Sequence, residues 1–279
     1  MNPNYTNLYD FSDKPIDWNI LPLYKKIEYT ATRFQPNIVY FVDKLYAKQT
    51  ASDWISNNGT LQNFNIPIGL LSIPNTIRIL SDASDVSVFD LDSNIMIKST
   101  HGLQSAYNID VDGNWDVSRV LHRLQDFERP KYFPIQTQYN YITKRYFSEQ
   151  KIEDRITELW GKAIVYSIYM IQGLPVAYSE CFESRYNLYE LIMSGNTYID
   201  KIEIKPPTTR LPVPILPNNI MQNLINISLC LSYPFEFIRM DYFVDIYNQI
   251  WFNEYTLTPN CTQKIFTDEK EIEYGLLWN

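Results

Sequence analysis

Apolar and polar residues alternate along residues 237–243 and again along 250–256, with a short stretch, 244–249, between them. A period of two, rich in aromatic and β-branched residues, predicts a hairpin. A second hairpin is predicted where the apolar runs 163–171 and 174–178 flank Gln172-Gly173, a dipeptide suited to a tight turn. Residues 95–98 predict a further strand, and 139–147 another. Elsewhere the period lengthens. Val42, Leu45, Tyr46, Ala47 and Trp54 recur at helical spacing, so a helix is predicted over 40–57, stopped by Asn58-Gly59. Ile220, Met221, Leu224, Ile227 and Leu231 form one apolar stripe behind Asn218, the expected N-cap. Shorter helices are expected over 117–127 and 269–277, and the proline-rich stretch 198–217 is expected to be extended. Helices and hairpins mixed in this way predict an α+β protein.

The hairpin over 237–256 carries the candidate chemistry. With Tyr247-Asn248 as a two-residue loop, Ile246 faces Gln249 and Asp241 stands opposite Glu254. Cross-strand Cβ atoms lie roughly 5 Å apart, and like charges placed so repel. A divalent cation would relieve the conflict, since Mg²⁺ takes one or two carboxylates together with phosphate oxygens. Arg239 shares the face of Asp241, and Thr256 that of Glu254, because side chains alternate along a strand. Lys98 ends a predicted strand before Ser99-Thr100-His101-Gly102, where an ammonium and successive backbone N–H groups can meet a phosphate. Lys44 and Lys48, taken alone, read as the solvated face of a helix.

Composition narrows the partners. The chain has 279 residues, 45% hydrophobic and 20% charged, enough for one large domain or two smaller ones. A net charge of −8 argues against nucleic acid or an anionic membrane as the main partner, while local lysines still admit an anionic nucleotide. Cys181, Cys230 and Cys261 lack metal-ligand spacing, and an odd count suits a reducing compartment. No basic segment leads into an apolar run at the N-terminus, and no apolar run reaches the roughly 18 residues of a membrane span. The expectation is a soluble, cytoplasmic protein. No P-loop, GxSxG, HExxH or CxxC pair is present.

The sequence from Phe237-Ile-Arg-Met-Asp-Tyr-Phe through Trp251-Phe-Asn-Glu-Tyr-Thr to Pro259 and Lys264-Ile-Phe266 resembles the C-terminal signature of ATP-grasp enzymes. It is most similar to the TupA-like group linked to polysaccharide biosynthesis. Asp43-Lys44 and the order Lys98, His101, Gly102 extend the resemblance upstream. It implies an ATP-grasp fold, two subdomains with antiparallel sheets clasping the nucleotide. Residues 1–39 would be an N-terminal extension, 40–138 the first part, and 139–279 the C-terminal subdomain. ATP and Mg²⁺ are the implied cofactors. Asp241 and Glu254 would hold the metal with Thr256 beside it, Lys98, His101, Gly102 and Lys44 would bind the nucleotide, and Arg239 would stabilise the transition state. The implied reaction is ligation of a carboxylate to an amine through an acyl phosphate, on a glycan or amino-acid building block. Three positions depart from the group. Leu103 and Gln104 replace loop glycines, Lys144-Arg145 replaces a nucleoside-binding Glu, and Val165-Tyr166-Ser167 replaces Asp-Tyr-Lys. With 22 tyrosines as contact residues, these departures leave two alternatives: a nucleotide or glycan binder without turnover, or a structural or interaction protein.

Overall fold

The computed structural model describes residues 8–57, 69–87, 95–100, 106–108, 145–152, 164–182, 185–205, 213 and 215–279. The predicted helix of 117–127 and residues 139–144 of the predicted strand 139–147, together with His101, Gly102, Leu103 and Gln104, lie outside these residues.

Two sheets carry the architecture. The smaller holds β2 (Thr76–Leu80), β5 (Tyr146–Gln150), β3 (Ile95–Ser99) and β4 (Ala106–Asn108), in that spatial order and all antiparallel. The larger runs β1 (Leu71–Ser72), β11 (Ile250–Thr256), β10 (Phe237–Val244), β6 (Val165–Ile171), β7 (Leu174–Phe182), β8 (Arg185–Ser194) and β9 (Thr197–Lys205). Only the two-residue β1 pairs parallel to its neighbour. The Gln172-Gly173 turn joins β6 to β7 with φ of 46° and 75°, the left-handed conformation that a tight hairpin needs at both central residues.

The larger sheet is buried on both faces, and strand parity divides the work. Ile238, Met240 and Tyr242 share one face with Tyr166, Ile168 and Met170. That face packs against α4 (Asn218–Leu231), whose Ile220, Met221, Leu224, Ile227 and Leu231 are all buried in the same cluster. Pro217, not Asn218, is the N-cap of this helix, and no side chain caps it. Phe237, Tyr169 and Ile171 turn to the opposite face. There they meet α1 (Leu23–Ala31) and α5 (Asp268–Leu277) through Leu23, Ile27, Phe266, Tyr274 and Trp278.

The segment ahead of residue 40 is tied to the chain's last helix. Lys26 is fully buried and donates to the carbonyl oxygens of Gly275, at 2.8 Å, and Trp278, acceptors left over at the end of α5. Gly275 is obligatory at this crossing, because a Cβ there would fall onto the Leu21 carbonyl oxygen.

The helix predicted over 40–57 is broken in two. α2 (Val39–Val42) stops at Asp43, which takes an extended ψ of 118°, and α3 (Lys44–Asn57) starts anew. The buried Asp43 carboxylate accepts from the N–H groups of Leu45 and Tyr46, at 2.9 and 3.2 Å, so it caps α3. Burial raises its pKa, opposed by the Tyr46 N–H and by Arg145, whose Nη2 lies 3.3 Å from Oδ2. Arg145 in turn exchanges hydrogen bonds with Thr100, at the end of β3. This set of contacts fastens the start of α3 to the smaller sheet, with Lys44, its first residue, turned to Glu254 of the larger one.

Candidate functional site

The 237–256 hairpin forms, but its turn is longer than the two-residue loop expected. Asp245 N–H bonds the Gln249 carbonyl at 3.1 Å, and Asn248 closes the turn on the Asp245 carbonyl at 3.0 Å with φ of 66°. The Asp245 carboxylate also collects the N–H groups of Tyr247 and Gln249 and the Trp251 indole, each at 2.9 Å. Strand pairing therefore starts one step out of the expected register, with Tyr242 opposite Phe252. A β-bulge at Asn253 restores it, so that Asp241 does stand opposite Glu254 and Arg239 opposite Thr256. In a bulge two residues oppose one and the strand bends, which re-aims side chains. Asn253 and Glu254 both reach the site side of the sheet.

Arg239, Asp241 and Thr256 form one hydrogen-bonded unit. The Arg239 fork is bidentate on Asp241, Nε to Oδ1 at 2.8 Å and Nη2 to Oδ2 at 2.6 Å. The Thr256 hydroxyl donates to Oδ2 at 3.2 Å and accepts from Arg239 at the same distance. Ser167 stands opposite Asp241 on β6, and its hydroxyl favours the charged carboxylate. The like-charge conflict expected between Asp241 and Glu254 is thus met by side chains of the protein itself. Arg239 lies on Asp241, and Lys44 lies 3.7 Å from Glu254 Oε2. Burial still raises the Asp241 pKa, with Glu254 adding to the rise and Arg239 opposing it. For Arg239 burial acts downward, but the Asp241 carboxylate and its neighbours Tyr169 and Glu254 carry its pKa above the ordinary value.

The second half of the site comes from the smaller sheet and α3. Lys98, on β3, is buried, with Nζ 2.5 Å from Glu149 Oε1 and 3.1 Å from Asn253 Oδ1. Glu149, on β5, is paired through its other oxygen with Lys48. Lys48 stands one helical turn beyond Lys44, so both face the sheets. Burial and the Lys44 ammonium push the Lys98 pKa down to about 7, with Glu254 opposing. Glu149 also favours the charged form, but it divides its charge between two lysines. Burial and the ammonium groups of Lys98 and Lys44 likewise hold Lys48 well below the usual lysine range. Counted by formal charge, Arg239, Lys44, Lys48 and Lys98 face only Asp241, Glu254 and Glu149. Basic side chains thus gather at this one place in a protein that is acidic overall.

Of the residues singled out from the sequence, Lys44, Lys98, Arg239, Asp241, Glu254 and Thr256 converge here. Lys48, Glu149 and Asn253 were missed. The i,i+4 spacing of Lys44 and Lys48 was a readable signal. For Glu149, the expected strand of 139–147 put Lys144-Arg145 in its place, whereas β5 runs Tyr146–Gln150 and has an acidic residue on the site side. The donors at the hairpin, two carboxylates and a hydroxyl, are hard oxygens that suit Mg²⁺. Among the described residues no third carboxylate, imidazole or thiol joins them, so phosphate and water oxygens would complete its shell.

The two sheets, antiparallel but for β1, and the buried charged residues that meet between them fit the ATP-grasp class. The chain belongs to the TupA-like ATP-grasp family, whose sequence profile matches residues 35–275. Among curated proteins, none matches the sequence. Similar solved structures include D-alanine–D-alanine ligase from Bacillus anthracis, at 15% identity and a TM-score of 0.46, covering 93% of this chain and 73% of that one. The same ligase complexed with ATP gives 14% and 0.44, covering 85% and 64%. Carboxyaminoimidazole ribonucleotide synthase from Aspergillus clavatus complexed with ATP gives 12% and 0.44, covering 80% and 46%. This chain therefore spans less than half the length of the synthase. No helix among the described residues is long and apolar enough to cross a membrane.

Proposed function

We propose that this protein is an ATP- and Mg²⁺-dependent ligase that joins a carboxylate to an amine on a glycan or amino-acid building block of polysaccharide synthesis. The observation that carries the reading is the meeting of Lys44, Lys48, Lys98 and Arg239 with the opposed Asp241–Glu254 pair, from two sheets and a helix. Asp241 and Glu254, with Thr256 beside them, would hold the cation, which when bound neutralises charge on the phosphates. Lys98 and Lys44 are placed to bind the phosphate oxygens, and Arg239 to take up charge on the transferred group.

In the first step a carboxylate oxygen of the substrate attacks the γ-phosphorus of ATP. The new O–P bond forms as the bond to the bridging oxygen breaks, which yields an acyl phosphate and ADP. An amine then attacks the acyl carbon, phosphate departs, and the amine proton passes to solvent or to a released phosphate oxygen. A buried, preset array of cations suits this chemistry, because phosphoryl transfer asks for positioning and charge stabilisation more than for covalent help.

The test is ADP release with Mg·ATP, screened over paired carboxylate and amine acceptors. ADP release that depends on both acceptors supports the ligase. Saturable Mg·ATP binding with no acceptor-dependent release assigns a binder without turnover. Absence of Mg·ATP binding in calorimetry overturns the reading.

A further inference from the structure

Both oxygens of Asp241 are engaged by the protein. Arg239 supplies a donor to each, at 2.8 and 2.6 Å, and Thr256 a further one to Oδ2 at 3.2 Å. A cation seated on both oxygens must displace the guanidinium that spans them. Of these two side chains only the guanidinium carries positive charge, so it alone is repelled by an arriving cation. Arg239 cannot leave at no cost. Its neighbours on that face are Tyr169, Thr256 and the Asp241–Glu254 pair, and its guanidinium needs an anion wherever it goes.

We infer that Arg239 determines which cation the acidic pair accepts: it is a built-in counter-ion that refuses a free divalent ion and yields only to one carried on a polyphosphate. The inference rests on the nucleotide reading above and goes beyond it. A free dication brings two positive charges onto an acidic pair that Arg239 and Lys44 already balance. It also offers Arg239 no replacement for Asp241. A cation chelated by a nucleoside triphosphate arrives with net negative charge, and its phosphate oxygens give the displaced fork a bidentate partner of matching geometry. Arg239 then moves from Asp241 to the phosphate in the same event that admits the cation. Metal and nucleotide enter together, and Asp241 never stands bare.

The probe is Mn²⁺, followed by electron paramagnetic resonance and calorimetry on the full chain without nucleotide. Wild type should show no saturable Mn²⁺ binding at concentrations where it binds Mn²⁺ with a non-hydrolysable ATP analogue. Arg239→Gln should gain nucleotide-independent Mn²⁺ binding, tighter than wild type by about tenfold or more. Adding Asp241→Asn should remove that gain. Wild type that binds Mn²⁺ alone as tightly as Arg239→Gln overturns the inference, and so does a variant that gains nothing. Should Arg239→Gln fail to fold, the wild type decides the matter through the ¹⁵Nε resonance of Arg239. That signal should move with Mg²⁺ plus analogue and stay fixed with Mg²⁺ alone; movement with Mg²⁺ alone refutes the role. If the analogue does not bind wild type under any condition, the nucleotide reading fails. The Mn²⁺ gain in Arg239→Gln still decides whether the fork excludes free cations.

Discussion

Lys98 and Glu149 face each other from neighbouring strands of the smaller sheet, Nζ to Oε1 at 2.5 Å, and the carboxylate's second oxygen is taken by Lys48 from α3. One buried anion thus serves two buried cations, and joins the sheet to the helix. Removing one member of a buried ion pair typically costs about 3–5 kcal/mol, because the partner is left uncompensated. Glu149→Ala should fall in that range by chemical denaturation. Adding Lys48→Met should recover part of the loss, since it removes one of the two stranded charges. A Glu149→Ala protein as stable as wild type would mean that the lysines find other acceptors or are neutral.

Lys98 also sets a pH dependence. Burial and Lys44 hold its pKa at about 7. Phosphate needs the ammonium, so below pH 7 the cleft is ready, and above it binding must first take up a proton. Mg·ATP affinity should therefore fall by about tenfold per pH unit above roughly pH 7, and Lys98→Arg should flatten the profile. The stability effect has the opposite sense. Between pH 7 and the ordinary lysine range the unfolded chain binds a proton at Lys98 that the folded chain lacks, so this residue's contribution to stability rises with pH there. A flat affinity profile from pH 6 to 9 would remove Lys98 from the phosphate contacts.

The site was legible in the sequence where chemistry repeats at a fixed period, and illegible where it depends on register between distant strands. Residue parity along 237–243 and 250–256 put Arg239, Asp241, Glu254 and Thr256 on one face, because a strand's period leaves no choice. Gln172-Gly173 fixed the β6–β7 turn for a similar local reason. Glu149 could not be assigned, since its partners come from residues 48 and 98, and no local pattern records that meeting. β8 went unrecognised. Its apolar residues Leu188, Leu191 and Ile192 do not keep a clean alternation, and the strand is irregular in its pairing with β9. The expected opposition of Asp241 and Glu254 was reached through a wrong loop length, and a bulge that the sequence did not announce made good the difference.

Asp241 sharpens the contrast between the sequence and the structure. Pattern alone suggests two carboxylates that repel until a cation arrives, so that Asp241→Asn would leave the apo protein as stable or more so. With the Arg239 fork on Asp241, the substitution instead strips a largely buried guanidinium of its counter-ion. The apo protein should lose roughly 3 kcal/mol, the low end for a broken buried pair, because the amide oxygen still accepts one N–H. Urea denaturation without metal or nucleotide measures it. An unchanged or raised midpoint would show that the ion pair contributes nothing to the fold.

Asn253 offers the sharpest test of how the hairpin serves the site. Starting from the Asp245–Gln249 closure, a regular ladder would set residue 253 opposite Asp241 and turn residue 254 to the other face. The bulge inserts Asn253 and carries Glu254 into the opposing place, which leaves the Asn253 carboxamide Oδ1 3.1 Å from Lys98 Nζ. Deleting Asn253 removes the bulge and slides Glu254 into the regular position, still opposite Asp241. The deletion should therefore fold with the acidic pair intact and lose only the acceptor that steadies Lys98. Asn253→Ala keeps the bulge and loses the same acceptor. A hydrogen bond to a charged group is worth about 1.5–3 kcal/mol, so both variants should weaken Mg·ATP binding by about tenfold or more, and by similar factors. Should the deletion abolish binding while Asn253→Ala costs little, the bulge matters for the bend it gives β11. The carboxamide would then have no part in holding Lys98.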